Sequence, residues 1–368
     1  MKIPVVKFAK DHNDEFYKVL KQRVSDYFKS SNIPRHGNSK MVFKSIFMIS
    51  LYVVPYLLML LYFKNDFMIF LMWIIMGFGM AGIGLSIMHD ANHGAYSKNQ
   101  KVNNVLGYII VLVGGHDVNW RIQHNVLHHT YTNVSGMDED IDSGILLRFS
   151  PHEKRYPNQR FQHIYAWFLY GMMTMMWSTI KDFKQLTRYR RLELLETQNV
   201  KFVSSLIILI STRILYYFVV LVLPLMYCEM SKGAIIGSYL SMHFVCGAIL
   251  GAIFQPAHIV PSSNYPIPDS SGNVEADWAV NQLYNTSNFA PGARLFSWYV
   301  GGLNYQVEHH LFPNICHIHY RKISEIVRNT AMEYNLPYNS QKTWANALYL
   351  HGKMLYDLGH YDNAPGIH

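Results

Sequence analysis

The sequence predicts an all-α, multi-pass membrane protein: four transmembrane helices in two hairpins, carrying a cytoplasmic helical cap. Three observations predict it. Four segments, 41–63, 67–88, 202–227 and 233–257, each hold about the 20 apolar residues that a helix needs to cross the hydrocarbon core. None carries more than one charge, Lys44 in the first and Arg213 in the third. Short links, Lys64-Asn65-Asp66 and Cys228–Lys232, join the segments in pairs, so each pair returns to the side it left. Twenty-eight of the 32 Lys and Arg lie in 1–40, 89–201 and 256–368. That bias puts those segments, and with them both termini, on the cytoplasmic face.

Other stretches are assigned in chain order. Phe16, Leu20, Val24, Tyr27 and Phe28 recur at helical spacing, so residues 1–40 read as an amphipathic cytoplasmic segment. Its apolar face lies either on the bilayer surface or against the cap. No apolar stretch of the kind that marks a secretory signal occurs in the first 35 residues. Residues 41–368 form one membrane domain. Val105–Gly115 is too short to span and reads as a re-entrant or buried piece. Phe161–Ile180, rich in Met, Trp and Tyr, reads as an interfacial or partly buried helix, and Pro256–Asn273 as a loop.

Composition excludes several classes. Half of the 368 residues are apolar and 15% are charged, which rules out a disordered chain. Three cysteines, odd in number and without a CxxC pair, give neither a disulfide framework nor a thiolate zinc site. The formal charge of +8 suits anionic headgroups. No basic run interleaved with aromatics points to nucleic acid.

Histidine is the anomaly, with 19 residues, many of them clustered. His89-Asp90-Ala91-Asn92-His93 puts two imidazoles one helical turn apart. His124-Asn125-Val126-Leu127-His128-His129 repeats that spacing and adds a third ring. Gln306-Val307-Glu308-His309-His310 has the same stagger with Gln leading, and His258 ends the fourth span. The predicted topology puts all four groups on the cytoplasmic side. Neutral imidazole is a good ligand for iron, zinc and copper. Eight rings exceed what one tetrahedral zinc takes and suit two ions of higher coordination number.

With those residues in view, the chain resembles the membrane fatty acid desaturases. The matching stretches are HDANHGAYS (89–97), WRIQHNVLHHTYTN (120–133) and GGLNYQVEHHLFPNICHIHY (301–320). The Gln306 form of the third box resembles the front-end branch, which inserts a double bond between an existing one and the carboxyl end. The resemblance implies that His89, His93, His124, His128, His129, His309 and His310 bind two non-haem irons (Fe2+/Fe3+), with His258 as the isolated ligand. It implies dioxygen as co-substrate and a fatty acyl-CoA or acyl-lipid substrate in the bilayer, with a cis bond introduced, at the 6-position on the front-end reading. Gln306, an amide where relatives have His, is a weaker donor and is assigned to water-mediated or outer contact with the metal. The His-Pro-Gly-Gly mark of a fused haem domain is absent from this sequence. The electrons are therefore assigned to a separate donor, a cytochrome b-type protein or a ferredoxin. The basic cap suits an acidic one.

The remaining polar residues are assigned around that site. Asp90, Asp138, Asp140 and Glu308 are candidates to orient imidazoles, whereas Glu139 and Asp142 read as a solvated acidic loop. Trp120 and Tyr305 flank boxes and either line an acyl channel or fill core. Gly77, Gly79, Ala81, Gly82 and Gly84 allow close helix packing, or room for an acyl chain. Arg213 is costly in mid-span and calls for a partner. His243 reads as a hydrogen-bonded core residue. His116, His317 and His319 read as outside the ligand set, and His12, His36, His152, His163, His351, His360 and His368 as surface. Within the same superfamily, acyl or alkane hydroxylases and carotenoid-modifying oxygenases share this chemistry. A His-rich metal transporter would instead place ligands at the bilayer midplane, and a receptor with one structural zinc would leave half the rings unused.

Overall fold

The structure is a computed structural model that describes residues 6–9 and 14–362. It is mostly helical, and the sheet among the described residues is two short parallel pairings. Lys7–Phe8 pairs with Asn273–Val274, and Asn288–Phe289 with Ser340–Gln341. Among the described residues, four helices are long and apolar enough to cross a membrane: Ser39–Leu61, Asp66–Asn92, Phe202–Tyr227 and Lys232–His258. They coincide with the predicted spans to within a few residues. Asn38 and Asn65 start the first two, each accepting backbone N–H bonds at the helix N-terminus. The helices turn large apolar side chains outward, among them Phe43, Leu61, Phe67, Val203 and Ile214. A surface of that kind is what lipid solvates, and the protein is a membrane protein.

The chain divides into two compact units. The first comprises Asn38–Ile122 and Trp167–Gly251. Here the small residues serve helix packing. A Cβ on Gly79 would lie 2.6 Å from the backbone nitrogen of Tyr52, and one on Gly77 would lie 2.8 Å from the carbonyl oxygen of Met242. No room for an acyl chain remains at those two contacts. Arg213 has the partner its position demanded. It is buried, 2.6 Å from the Asp182 carboxylate, and also donates to the carbonyl of Gly114. His243 is a core residue, with Nδ1 bonded to Thr174 (3.0 Å) and Nε2 to the hydroxyl of Tyr216 (2.8 Å). The short apolar run after Gln100 forms a helix through Val113, below spanning length.

The second unit takes the described residues up to Gly37, Gln123–Ala166, and the chain from Ala252 onward. Between the two readings open for the amphipathic Asp14–Ser30 helix, its packing decides. Phe16, Leu20 and Val24 are buried against Ile323, Val327 and Ala331 of the Tyr320–Glu333 helix. Its apolar face is therefore consumed by protein, not left for the bilayer. A second feature was not anticipated from sequence. The buried Arg148 guanidinium donates to the carbonyls of Pro151, Glu153, Leu358, Tyr361 and Asp362, tying its loop to the end of the Trp344–His360 helix. His351, assigned to the surface, is buried on that helix with Nδ1 2.8 Å from the carbonyl of Ile259. His12 and His368 lie outside the described residues.

Candidate metal centre

Helix irregularity sets the histidine directions. The Asp66–Asn92 helix widens into a π-helical stretch at Ile83–Met88, immediately before His89. The second box is itself π-helical from Arg121 to His128. π-Turns are uncommon and gather at functional sites. In the second box the wider turn brings His129 round toward the face of His124 and His128, a position that regular α-helical spacing denies it.

In the first unit, His89 and His93 are edge to face with ring centroids 4.8 Å apart. Both rings also lie edge-on to Trp120, at 5.6 and 5.7 Å. Trp120 is thus a wall for these imidazoles. Asp90 is buried, with Oδ1 3.8 Å from His89 Nδ1.

The second unit gathers the other six imidazoles. His128, His258 and His310 form one group and His129, His309 and His310 another, each with donor atoms within 4.8 Å of one another. The spacing tests whether a metal fits. Two nitrogens bound to one ion at about 2.1 Å and at right angles lie about 3 Å apart. His129 Nε2 is 2.9 Å from His309 Nε2 and 3.2 Å from His124 Nε2. The opposite ring atoms are held by hydrogen bonds. His310 Nδ1–H donates to Gln282 Oε1 (2.8 Å), and His258 Nδ1–H to the carbonyl of Asn285 (3.1 Å). His128 Nδ1–H donates to Asp138 (3.0 Å), and His309 Nδ1 meets the hydroxyl of Tyr320 (3.2 Å). These bonds fix tautomer and ring angle and leave Nε2 for a cation. On His258 that Nε2 is buried. The donor set is all imidazole nitrogen, which fits a transition metal.

Carboxylates complete the electrostatics. Burial works against charge on His128, but Asp138 and Asp140 outweigh it and hold the imidazole up to about 9. Asp138 is buried too, yet His128 and the backbone N–H groups of Asn133 and Asp140 keep its carboxyl below the usual range. Asp140 lies 3.4 Å from His128 Nδ1 and accepts a bond from Gln123. Glu308 is fully buried and accepts from Asn288 and Tyr338, and burial pushes its carboxyl up to about 7. Asp142 is exposed, as a solvated loop residue should be, whereas Glu139 is half-buried.

Tyr305 and Gln306 are both buried beside the third box. Tyr305 is buried in the apolar core of the second unit, and its hydroxyl donates to the carbonyl of Pro291. Gln306 is buried and its amide nitrogen donates to the carbonyl of Leu303, 2.7 Å away, which anchors the third box. Sequence reasoning missed Gln282, Asn285 and Tyr320. The signal for the first two was three amides, Asn281, Gln282 and Asn285, at helical spacing in an otherwise apolar stretch. All three are buried: Gln282 also accepts from Thr132, and Asn281 and Asn285 donate to the Thr132 carbonyl.

The sequence profile of the fatty acid desaturase family matches residues 65–342. A sn-1 linoleoyl-lipid 6-desaturase of Arthrospira platensis is 34% identical, over 90% of this chain and 89% of its own length. Its counterpart in a Synechocystis strain is 32% identical, over 90% and 92%. An acyl-lipid (8-3)-desaturase of Physcomitrium patens is 34% identical, over 96% of this chain and 74% of its own. With the three His boxes in their expected order, these matches establish that the chain belongs to the fatty acid desaturase family.

Proposed function

We propose that the protein is an oxygen-dependent acyl-lipid desaturase of the front-end type, inserting a cis double bond at the 6-position. The proposed ligands for two non-haem irons are His89, His93, His124, His128, His129, His258, His309 and His310. The observation that carries the reading is the pair of Nε2–Nε2 separations, 2.9 and 3.2 Å, in a cluster where the Nδ1 atoms of His128, His258, His309 and His310 are held from behind. The relatives' names, linoleoyl-lipid and acyl-lipid desaturase, favour a lipid-borne acyl chain over acyl-CoA, and dehydrogenation over the hydroxylation that related oxygenases perform.

Bound iron would supply the activation of dioxygen that an unactivated C–H bond demands, since no side-chain acid or base reaches it. The chain's own residues supply order. Asp138, Gln282, Tyr320 and the Asn285 carbonyl fix four rings before any metal arrives, so binding costs little rearrangement. The balance is two hydrogens from the acyl chain, two electrons and two protons from outside, and one dioxygen, giving an alkene and two waters. Electrons come from a carrier protein, of cytochrome b or ferredoxin type. The distribution of Lys and Arg supports both termini and the site on the cytoplasmic side.

Expression in a host supplied with labelled linoleoyl lipid, followed by mass spectrometry of its fatty acids, tests the proposal. The expected product has lost two hydrogens between the first double bond and the carboxyl end. A product that has gained oxygen contradicts it.

A further inference from the structure

Desaturation, if that reading holds, consumes two external electrons per double bond, and they must enter from the surface. In the second unit a groove of about 560 Å³ runs between the Asp14–Ser30 helix and the end of the third His box. Lys21, Lys29 and Arg35 line it, all exposed, and no carboxylate is among its lining residues. Its apolar surface includes Tyr17, Trp278 and Phe312. The nearby Asp277 is engaged in capping the Trp278–Asn285 helix. Cations around the half-buried rings of Tyr17 and Trp278 are the composition of a docking surface for an acidic protein.

The groove is wired to the metal ligands. Trp278 Nε1–H donates to the backbone carbonyl of His129, at 3.1 Å. Tyr17 packs edge-on to Trp278 with centroids 5.3 Å apart, and its hydroxyl donates to the carbonyl of Leu311, one residue past His310. Electron tunnelling decays faster through gaps than through covalent and hydrogen bonds. One indole and one hydrogen bond therefore join this surface to the residue whose Nε2 faces those of His124 and His309. We infer that the Lys21–Lys29–Arg35 groove docks a small acidic one-electron carrier protein, and that Trp278 positions the route by which its electrons reach His129. An anionic lipid surface is the rival occupant of such a basic groove. The apolar face of the Asp14–Ser30 helix is already buried in protein, and the Trp278 link has no use in lipid binding.

The test uses the full-length enzyme in nanodiscs of neutral lipid, with purified acidic [2Fe–2S] ferredoxin as probe. Ferredoxin affinity is measured by anisotropy against salt, and its oxidation is followed by stopped flow. Reversing the groove (Lys21→Glu, Lys29→Glu, Arg35→Glu) is expected to weaken binding about tenfold or more and to flatten its salt dependence. Product formed with dithionite should be unchanged. The neutral set (Lys21→Gln, Lys29→Gln, Arg35→Gln) should fall between. Trp278→Phe keeps a ring but loses the donor. It should leave affinity nearly unchanged and measurably slow electron transfer in the complex. Unchanged affinity in the reversed variant overturns the docking site. So does a reversal that abolishes binding to phosphatidylserine vesicles while sparing ferredoxin. An unchanged transfer rate in Trp278→Phe overturns the route. Charge-dependent ferredoxin binding without product from either donor supports the docking site and overturns the desaturase reading instead.

Discussion

At the scale of single residues, the site is built from partners behind the imidazoles as much as from the imidazoles. Gln282 is the clearest case, because its amide oxygen holds His310 Nδ1 and its amide nitrogen reaches the carbonyl of His129. Gln282→Ala should lower metal affinity about 10- to 100-fold, the usual effect of removing such a support. Chelator competition followed by elemental analysis of the protein reads it, and an unchanged competition curve would show the bond to be idle. His351 supports a pH prediction. Burial lowers its imidazole to about 4 from an ordinary 6.5. Between those values the unfolded chain binds the extra proton, so stability is full above pH 6.5 and drains as pH falls toward 4. The span is on the order of 3 kcal/mol. His351→Asn should flatten that acid limb in thermal melts of the purified protein, relative to wild type. The imidazole clusters were legible in the sequence because their spacing is local. Their supports were not, since His310 and Gln282 are 28 positions apart and His129 and Trp278 are 149.

At the scale of elements, the spans were legible because an apolar run of that length needs no tertiary context to be recognised. The role of small residues within them was not, since packing and cavity share one composition. The structure decides for packing at Gly79, where a methyl group would meet the Tyr52 backbone. Gly79→Ala should therefore destabilise the protein by about 1–3 kcal/mol through overpacking, seen as a lower melting temperature in detergent. A neutral substitution would mean that the two helices separate more easily than their contact implies. The π-turns were equally invisible, because a one-residue change in helical pitch leaves no mark in composition. They nonetheless determine whether His129 joins His124 and His128. The Asp14–Ser30 helix shows the limit of periodicity. Phe16, Leu20 and Val24 announce an apolar face without saying whether lipid or protein covers it, and the Tyr320–Glu333 helix supplies the answer from 300 positions away.

At the scale of the whole molecule, fold and function are joined by one requirement. Residues remote in sequence must present imidazole nitrogen to shared cations, while a greasy surface keeps the protein in the bilayer that stores its substrate. Arg213 with Asp182 and Arg148 with its five carbonyls are charges buried inside this framework, and each has its partners close by. Family membership follows from sequence, whereas the number and identity of the ions rest on the donor set and its spacing. Iron content and Mössbauer spectra of the purified, aerobically prepared protein test that most directly. The account predicts about two irons per chain, in nitrogen-rich sites of higher coordination number than tetrahedral zinc. A single ion per chain, or zinc in place of iron in active protein, would contradict it.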